Sequence, residues 1–275
     1  MSRVATARRS SADRPPLPLV AAGIVGALVF VVPLAALVVR APWGSVGDVV
    51  SSGPTRSALW LSLVTSVVAT AVSVVLGVPL AWLLARSRLP GRALIRAVCT
   101  LSMVLPPVVA GVALFLAVGR RGLIGEPLDA WFGLSLPFST PAVVVAQVFV
   151  AMPFLVLTVD AAFEQLDRRA EDAARSLGAS EWYVFRRVTL PSVRPALVAG
   201  GVLTWARALG EFGATITFAG SLPGVTRTLP LEAYLALEVD ADRAVLVSLV
   251  LVVISFAVLL TLRGRWVGAL ARTAP

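Results

Sequence analysis

The chain has 275 residues, 58% of them hydrophobic, and carries 24 basic against 15 acidic residues for a formal charge of +9. Every basic residue is Arg, His is absent and Cys occurs once, which excludes ordinary zinc sites, Cys–His or Ser–His catalysis and the lysine-dependent phosphate loop of a Walker ATPase. Apolar runs of about 20 residues, the length that a bilayer core of roughly 30 Å requires, leave only polar stretches too short for an independent soluble core.

In chain order, residues 1–17, rich in Arg, Ser and Pro, read as a disordered cytoplasmic tail. Six apolar runs follow, at about 18–39, 58–85, 97–118, 141–161, 195–217 and 244–262, and predict an all-α membrane protein with six transmembrane helices in a domain spanning 18–262. The first run is longer than a signal-peptide core, and Pro33, Leu34 and Arg40 offer no small-residue cleavage site, so it reads as a true span. APWGS and SSGPT in the linker 40–57 are the turn chemistry of an outer loop. The second run exceeds what a bilayer needs, which predicts tilt or a helical extension into solvent. RSRLPGRALIR at 86–96 is a short cationic connection. In the third run, Pro106 and Pro107 of LPPVVAG predict a kink or an interruption. Cys99 stands alone, so no intrachain disulfide forms. In the outer loop 119–140, Trp131 and Phe132 read as interfacial anchors. The sequence has no 20–50-residue repeat and no inverted-repeat symmetry.

The Arg positions set the topology. Segments 1–17, 86–96, 162–194 and 263–275 hold 4, 4, 6 and 3 Arg, whereas the three other loops hold 2 each and Arg207 lies within a span. By the positive-inside rule both termini and the two Arg-rich loops are cytoplasmic, with 263–275 a cytoplasmic tail. The basic balance is thus topology together with attraction to membrane lipid, and no nucleic-acid partner is expected.

One polar insert interrupts the apolar pattern, a cytoplasmic loop at 163–191. Phe163, Leu166, Ala170, Ala173, Ala174 and Leu177 recur at helical spacing, and Gly178 ends that helix as a left-handed cap. A second short helix begins after Ser180 as N-cap, with Trp182, Phe185 and Val188 on its apolar side, and Pro191 and Pro195 break it before the fifth span. A helix balanced in charge and faced with Ala suits the groove of another protein; resting on lipid is the alternative.

The segment resembles the EAA loop of ABC-importer permeases, whose pattern is E-A-A-x3-G-x9-I-x-L-P. Here Asp172-Ala173-Ala174 is followed after three residues by Gly178, after nine more by Val188, and then by Leu190-Pro191. Asp172 and Val188 depart conservatively from the pattern. The resemblance implies that Glu171, Asp172, Ala173, Ala174, Gly178, Val188, Leu190 and Pro191 form the element that couples to a cytoplasmic ATPase. WARALGEFGATITFAGSLPGVTRTLP (205–230) and LPPVVAGVALFLAVGRRG (105–122) are similar to the molybdate permease family, with sulfate and tungstate permeases as near relatives. The similarity covers residues 55–262. It implies a type I ABC-importer permease fold in the cytoplasmic membrane of a bacterium. Its implied partners are a second copy of the chain, a cytoplasmic ABC ATPase dimer that binds ATP and Mg, and an extracytoplasmic oxyanion-binding protein. No cofactor, metal site or catalytic residue is implied in this chain. Sulfate or tungstate transport is the near alternative. A stand-alone secondary carrier or channel is the alternative of another class, and it gives no reason for the spacing at 171–191.

In the fifth run Thr204, Arg207, Glu211 and Thr215 recur at spacings of three, four and four and form a polar face. Charges within a span default to a functional reading, here a face bordering the translocation pathway; the alternative is a self-neutralised Arg207–Glu211 pair buried against other helices. Gly200, Gly201, Gly210 and Gly213 permit close helix approach, at a dimer seam or within the chain. The loop 218–243, with Arg227, Glu232, Glu238, Asp240 and Asp242, either contacts the binding protein, as the resemblance implies, or is merely solvated.

Overall fold

A computed structural model describes residues 16–87 and 90–270. Residues 1–15 of the predicted N-terminal tail and 271–275 of the predicted C-terminal tail lie outside the described residues. The chain divides after Ala41. The first unit contributes α1 (Leu17–Val39), apolar throughout, with Pro33 inside it and no buried residue. Its 23 residues extend about 35 Å at 1.5 Å per residue, enough to cross a bilayer core.

The second unit, in chain order, holds a 3-10 turn (Trp43–Ser45), α2 (Val46–Ser51), α3 (Gly53–Arg86), α4 (Arg92–Val104), α5 (Pro107–Val118), α6 (Gly125–Phe132) and α7 (Thr140–Gln165). There follow α8 (Arg169–Ser176), α9 (Glu181–Val184), a π-helical turn (Phe185–Thr189), α10 (Leu190–Ser192), α11 (Arg194–Leu209), α12 (Gly213–Phe218), α13 (Leu229–Val239) and α14 (Ala241–Leu270). α14 continues past the end predicted for the sixth span, into the segment read as a C-terminal tail. Among the described residues four helices are long and apolar enough to cross a membrane: α1, α3, α7 and the Ala241–Val258 part of α14.

The third and fifth apolar runs fold as broken pairs. The break between α4 and α5 falls at Leu105 and Pro106, where the missing proline N–H and the restricted residue before it end a helix. α11 and α12 are separated by Gly210, Glu211 and Phe212, an interruption that the continuous polar face of the fifth run did not predict. Pro191 and Pro195 do not break the path as the sequence predicts. Each sits in the first turn of a helix, α10 or α11, where a proline costs no hydrogen bond.

Small side chains decide the packing. The buried face of α3 includes Ala58, Ser62, Thr65, Ser66, Ala69, Ser73, Gly77 and Ala81, while Val67, Val68, Val75 and Leu76 point outward. Lipid is as apolar as leucine, so close approach of small residues, not the exclusion of large ones from lipid, holds such helices together. A Cβ at Gly77 would stand 3.2–3.3 Å from Val156, Leu155 and Met152, and Val78, Ala81 and Leu84 cluster with Val156, Val159 and Phe163, so α3 runs parallel to α7. Gly200 meets Leu155 and Thr158, and Ala208 clusters with Ala151 and Ala69, which makes α11 antiparallel to α7. Beyond the two breaks α5 and α12 close on each other. A Cβ at Gly213 would lie 2.5 Å from the Pro107 side chain, and one at Gly111 would overlap the Thr217 hydroxyl.

Candidate functional site

The polar insert folds as the sequence predicts it should begin and end. α7 stops at Gln165, and Asp167 Oδ1 accepts the Arg169 amide at the start of α8. Gly178, at φ 86°, closes α8 with two amide bonds, Gly178 to the Arg175 carbonyl and Ala179 to the Ala174 carbonyl, the six-to-one and five-to-two pattern of a Schellman cap. Ser180 Oγ then accepts the Tyr183 amide at 3.3 Å and starts α9. A π-helical turn and α10 follow before α11.

The faces of α8 are reversed from those of a soluble-protein helix. Ala170, Ala173 and Leu177 are exposed, Leu177 to 88%, whereas Glu171 is buried. Asp172 is exposed, Ala174 half-buried. Glu171 Oε1 accepts hydrogen bonds from Arg86 Nη2 at 3.3 Å and Thr189 Oγ1 at 2.8 Å. On the outer side Arg175 joins the two short helices, its Nη1 donating to Asp172 and its Nε and Nη2 to the two oxygens of Glu181, at 2.9, 2.7 and 3.1 Å. That pairing holds the Glu181 carboxyl below its ordinary pKa and raises that of Arg175. Trp182 stacks on Phe185, which meets Trp82 edge-on at 6.0 Å. Beneath α8 lies a cavity of about 300 Å³ lined by Trp82, Arg86, Glu171, Arg175, Phe185 and Thr189 among others. Val188 and Leu190 are half-buried, and Gly178 and Pro191 are exposed.

The second group sits at the break in the fifth run. Thr204, Glu211 and Thr215 are buried, and Arg207 keeps 29% of its side chain exposed. Arg207 Nη1 lies 2.6 Å from Glu211 Oε2, an ion pair by distance whose angles fall outside hydrogen-bond geometry. Glu211 Oε1 accepts the Ala214 amide at 2.8 Å, so this carboxylate satisfies a free donor in the first turn of α12. The Thr204 and Thr215 hydroxyls make no hydrogen bond among the described residues. The antiparallel register of α11 brings the break level with Gln147 of α7, 1% exposed, whose amide oxygen and nitrogen are likewise unbonded among the described residues. Of the glycines, Gly200 and Gly213 serve contacts within the chain, Gly210 is near only its own helix, and Gly201 faces open space.

Three groups escaped the sequence reading. Arg96 of α4 donates Nε and Nη2 to the Asp160 carboxylate at 2.8 and 3.0 Å, and Nη2 also to Glu164 at 2.7 Å. An acid inside the fourth apolar run was the available signal. Gln147, another polar residue in that run, carried the same signal. Arg86 was read only as topology, because nothing in the spacing ties residue 86 to residue 171. At the opposite end of the unit, Glu232 is buried between Arg243 at 2.6 Å and Arg227 at 3.6 Å. Trp131 and Phe132 of α6 are exposed.

The family described as "Binding-protein-dependent transport system inner membrane component" matches residues 73–273. The chain belongs to this family. Among the relatives of this inner membrane component are the molybdenum transport system permease protein ModB of Mycobacterium tuberculosis, 47% identical over 88% of this chain and 91% of that one, and ModB of Escherichia coli, 41% identical over 80% and 96%. The sulfate transport system permease protein CysW of a Synechocystis species is 43% identical over 64% and 63%. In fold the chain matches a solved bacterial ABC transporter that imports the acidic polysaccharide alginate, with a TM-score of 0.74 at 15% identity over 94% and 95% of the two chains. The MetNI methionine ABC transporter in inward-facing form gives 0.59 at 20% identity over 76% and 92%.

Proposed function

We propose that this chain is the multi-pass transmembrane subunit of an ATP-driven ABC importer that carries molybdate across the bacterial cytoplasmic membrane. The observation that carries the reading is the 47% identity to a molybdenum permease across about nine tenths of both chains. It takes in the whole of the 163–191 insert and the broken fifth span. On this reading α1, α3, α4–α5, α7, α11–α12 and α14 are six passes with both termini cytoplasmic. The parallel run of α3 and α7 and the antiparallel run of α11 fit that order, and they gather Arg86, Arg96, Arg168, Arg175, Arg186 and Arg187 at the inner end.

The chain itself is not a catalyst. A cytoplasmic ATPase dimer binds ATP and Mg, and each ATPase receives one α8 through its exposed face of Asp172, Ala173, Leu177, Trp182 and Tyr183. A second copy of the chain completes the pathway. An extracytoplasmic oxyanion-binding protein delivers the anion to the outer end, where loop 218–243 meets it. Closure of the ATPases draws the two α8 helices together and turns the pathway outward; hydrolysis resets it. Within the polar face of the fifth span, Arg207 is the member with an exposed side chain and is the candidate to meet the anion. Buried Glu211 neutralises it, so that passage does not become a trap. Thr204 and Thr215 support the break.

The test is cellular molybdenum, measured by elemental mass spectrometry with and without the gene, in trace molybdate with and without excess sulfate. Loss of molybdenum independent of sulfate supports the proposal. Unchanged molybdenum with reduced sulfur uptake assigns the sulfate branch. Transport by the purified chain without any ATPase would overturn the importer reading in favour of a secondary carrier.

A further inference from the structure

Glu171 occupies the buried position of α8, with 4% of the residue exposed, and one of its oxygens serves both Arg86 and Thr189. Arg86 is the last residue of α3, its side chain 8% exposed. Thr189 is the last residue of the π-helical turn that leads through α10 into α11. One carboxylate oxygen therefore joins three segments, with sequence separations of 85 and 18 residues.

This is a costly arrangement for a short helix in water. An ionised carboxylate is buried only when it is paired, and a buried pair is retained more readily for geometry than for net stability. The π turn adds to the case. One extra residue in a helical turn rotates everything after it by about 100°, so it is the π geometry of Phe185–Thr189 that brings Thr189 to face Glu171. The rest of the connection between α8 and α3 crosses the cavity of about 300 Å³ and not a packed apolar interface. Asp172 and Glu181 are taken by Arg175, which leaves Glu171 alone to engage Arg86.

We propose that Glu171 is a positioning residue of the coupling machinery. Through Arg86 and Thr189 it makes α8 move as one piece with the inner end of α3 and the path into α11. Displacement of α8 then reaches the second and fifth spans together. The inference rests on the importer reading above and deepens it.

The experiment uses the chain reconstituted in lipid vesicles with its ATPase and binding-protein partners, reading molybdate moved per ATP hydrolysed. E171Q and R86M are each expected to lower this ratio about tenfold, and the double variant R86M/E171Q to be no worse than either, because one link is cut only once. R86K, which keeps the charge, retains most of the ratio, and T189V loses part of it. A wild-type ratio in E171Q, or a double variant whose loss is the product of the two single losses, overturns the proposal. A second readout needs no partner: hydrogen exchange of the purified chain in detergent. E171Q speeds exchange of the 169–176 amides, and unchanged exchange there overturns the proposal. A wild-type chain that binds no ATPase overturns the importer reading instead, and the exchange result still decides whether the tie exists.

Discussion

Trp182 shows how a single side chain is prepared for a partner. It is 68% exposed yet already ordered, stacked on Phe185 with ring centroids 5.8 Å apart. A pre-ordered aromatic loses little rotamer freedom on binding, which is why such residues dominate interface energetics. Trp182→Ala is expected to weaken association with the ATPase subunit by about 2 kcal/mol, roughly 30-fold, as measured by titrating the purified ATPase onto the solubilised chain; unchanged affinity would place the docking surface elsewhere. The neighbouring Arg175–Glu181 fork sets a pH range. Hydrogen bonds to Arg175 depress the Glu181 pKa. The contribution of this fork is therefore fully present above the ordinary glutamate value of about 4.3 and is lost as the pH falls through the lower folded value. A carboxyl carbon-shift titration of Glu181 should show a midpoint below about 4.3; one at or above it would contradict the fork.

At the scale of elements, the seam between α5 and α12 leaves no space for a methyl group. Gly213→Ala would drive a Cβ into Pro107, and Gly111→Ala would overlap Thr217 and come within 2.9 Å of the Ala214 carbonyl. Overpacking of this kind costs about 1–3 kcal/mol or more, and each variant should unfold earlier in a detergent-solubilised thermal melt. Gly201→Ala, which faces open space, is the control and should not. The clamp of α4 on α7 behaves differently. Arg96→Met leaves Asp160, its side chain 5% exposed, without its cation. The expected loss is about 2 kcal/mol, less than for a fully buried pair, because solvent reaches 36% of the Arg96 side chain. The same melt reads it, and Asp160→Asn in the Arg96→Met background should restore part of the loss. Much of this level was legible in the sequence. The Pro106–Pro107 interruption, the Ser180 and Gly178 caps and the run of short apolar-faced helices follow from local chemistry that needs no tertiary information. The break at 210–212 was not legible, because no proline marks it and the carboxylate that stabilises it, Glu211, reads in sequence as one more member of a regular polar face. Glu171 was hidden for a related reason. Its burial depends on Arg86, whose proximity only the folded chain reveals.

For the molecule as a whole, the pattern of inside and outside is that of a protein dissolved in lipid. Valine and leucine face outward from α3, and serine, threonine, alanine and glycine face its neighbours. At the inner end the solvent changes, and the same exposure of apolar side chains takes on another meaning. Leu177 at 88% exposed, Trp182 at 68% and Tyr183 at 54% stand on a loop that water reaches. Contiguous apolar patches in water mark surfaces meant to be covered. An orphaned copy of this chain thus carries a standing signal for chaperones and proteases, which triage uncovered surface continuously. Pulse-chase immunoblotting should find a markedly shorter half-life in cells deleted for the ATPase gene, lengthened again when Leu177 and Trp182 are both replaced by Ser; equal half-lives with and without the ATPase would remove the idea. A helix that turns its leucine outward therefore acts as a subunit counter, matching the number of pores kept in the membrane to the number of motors available to drive them.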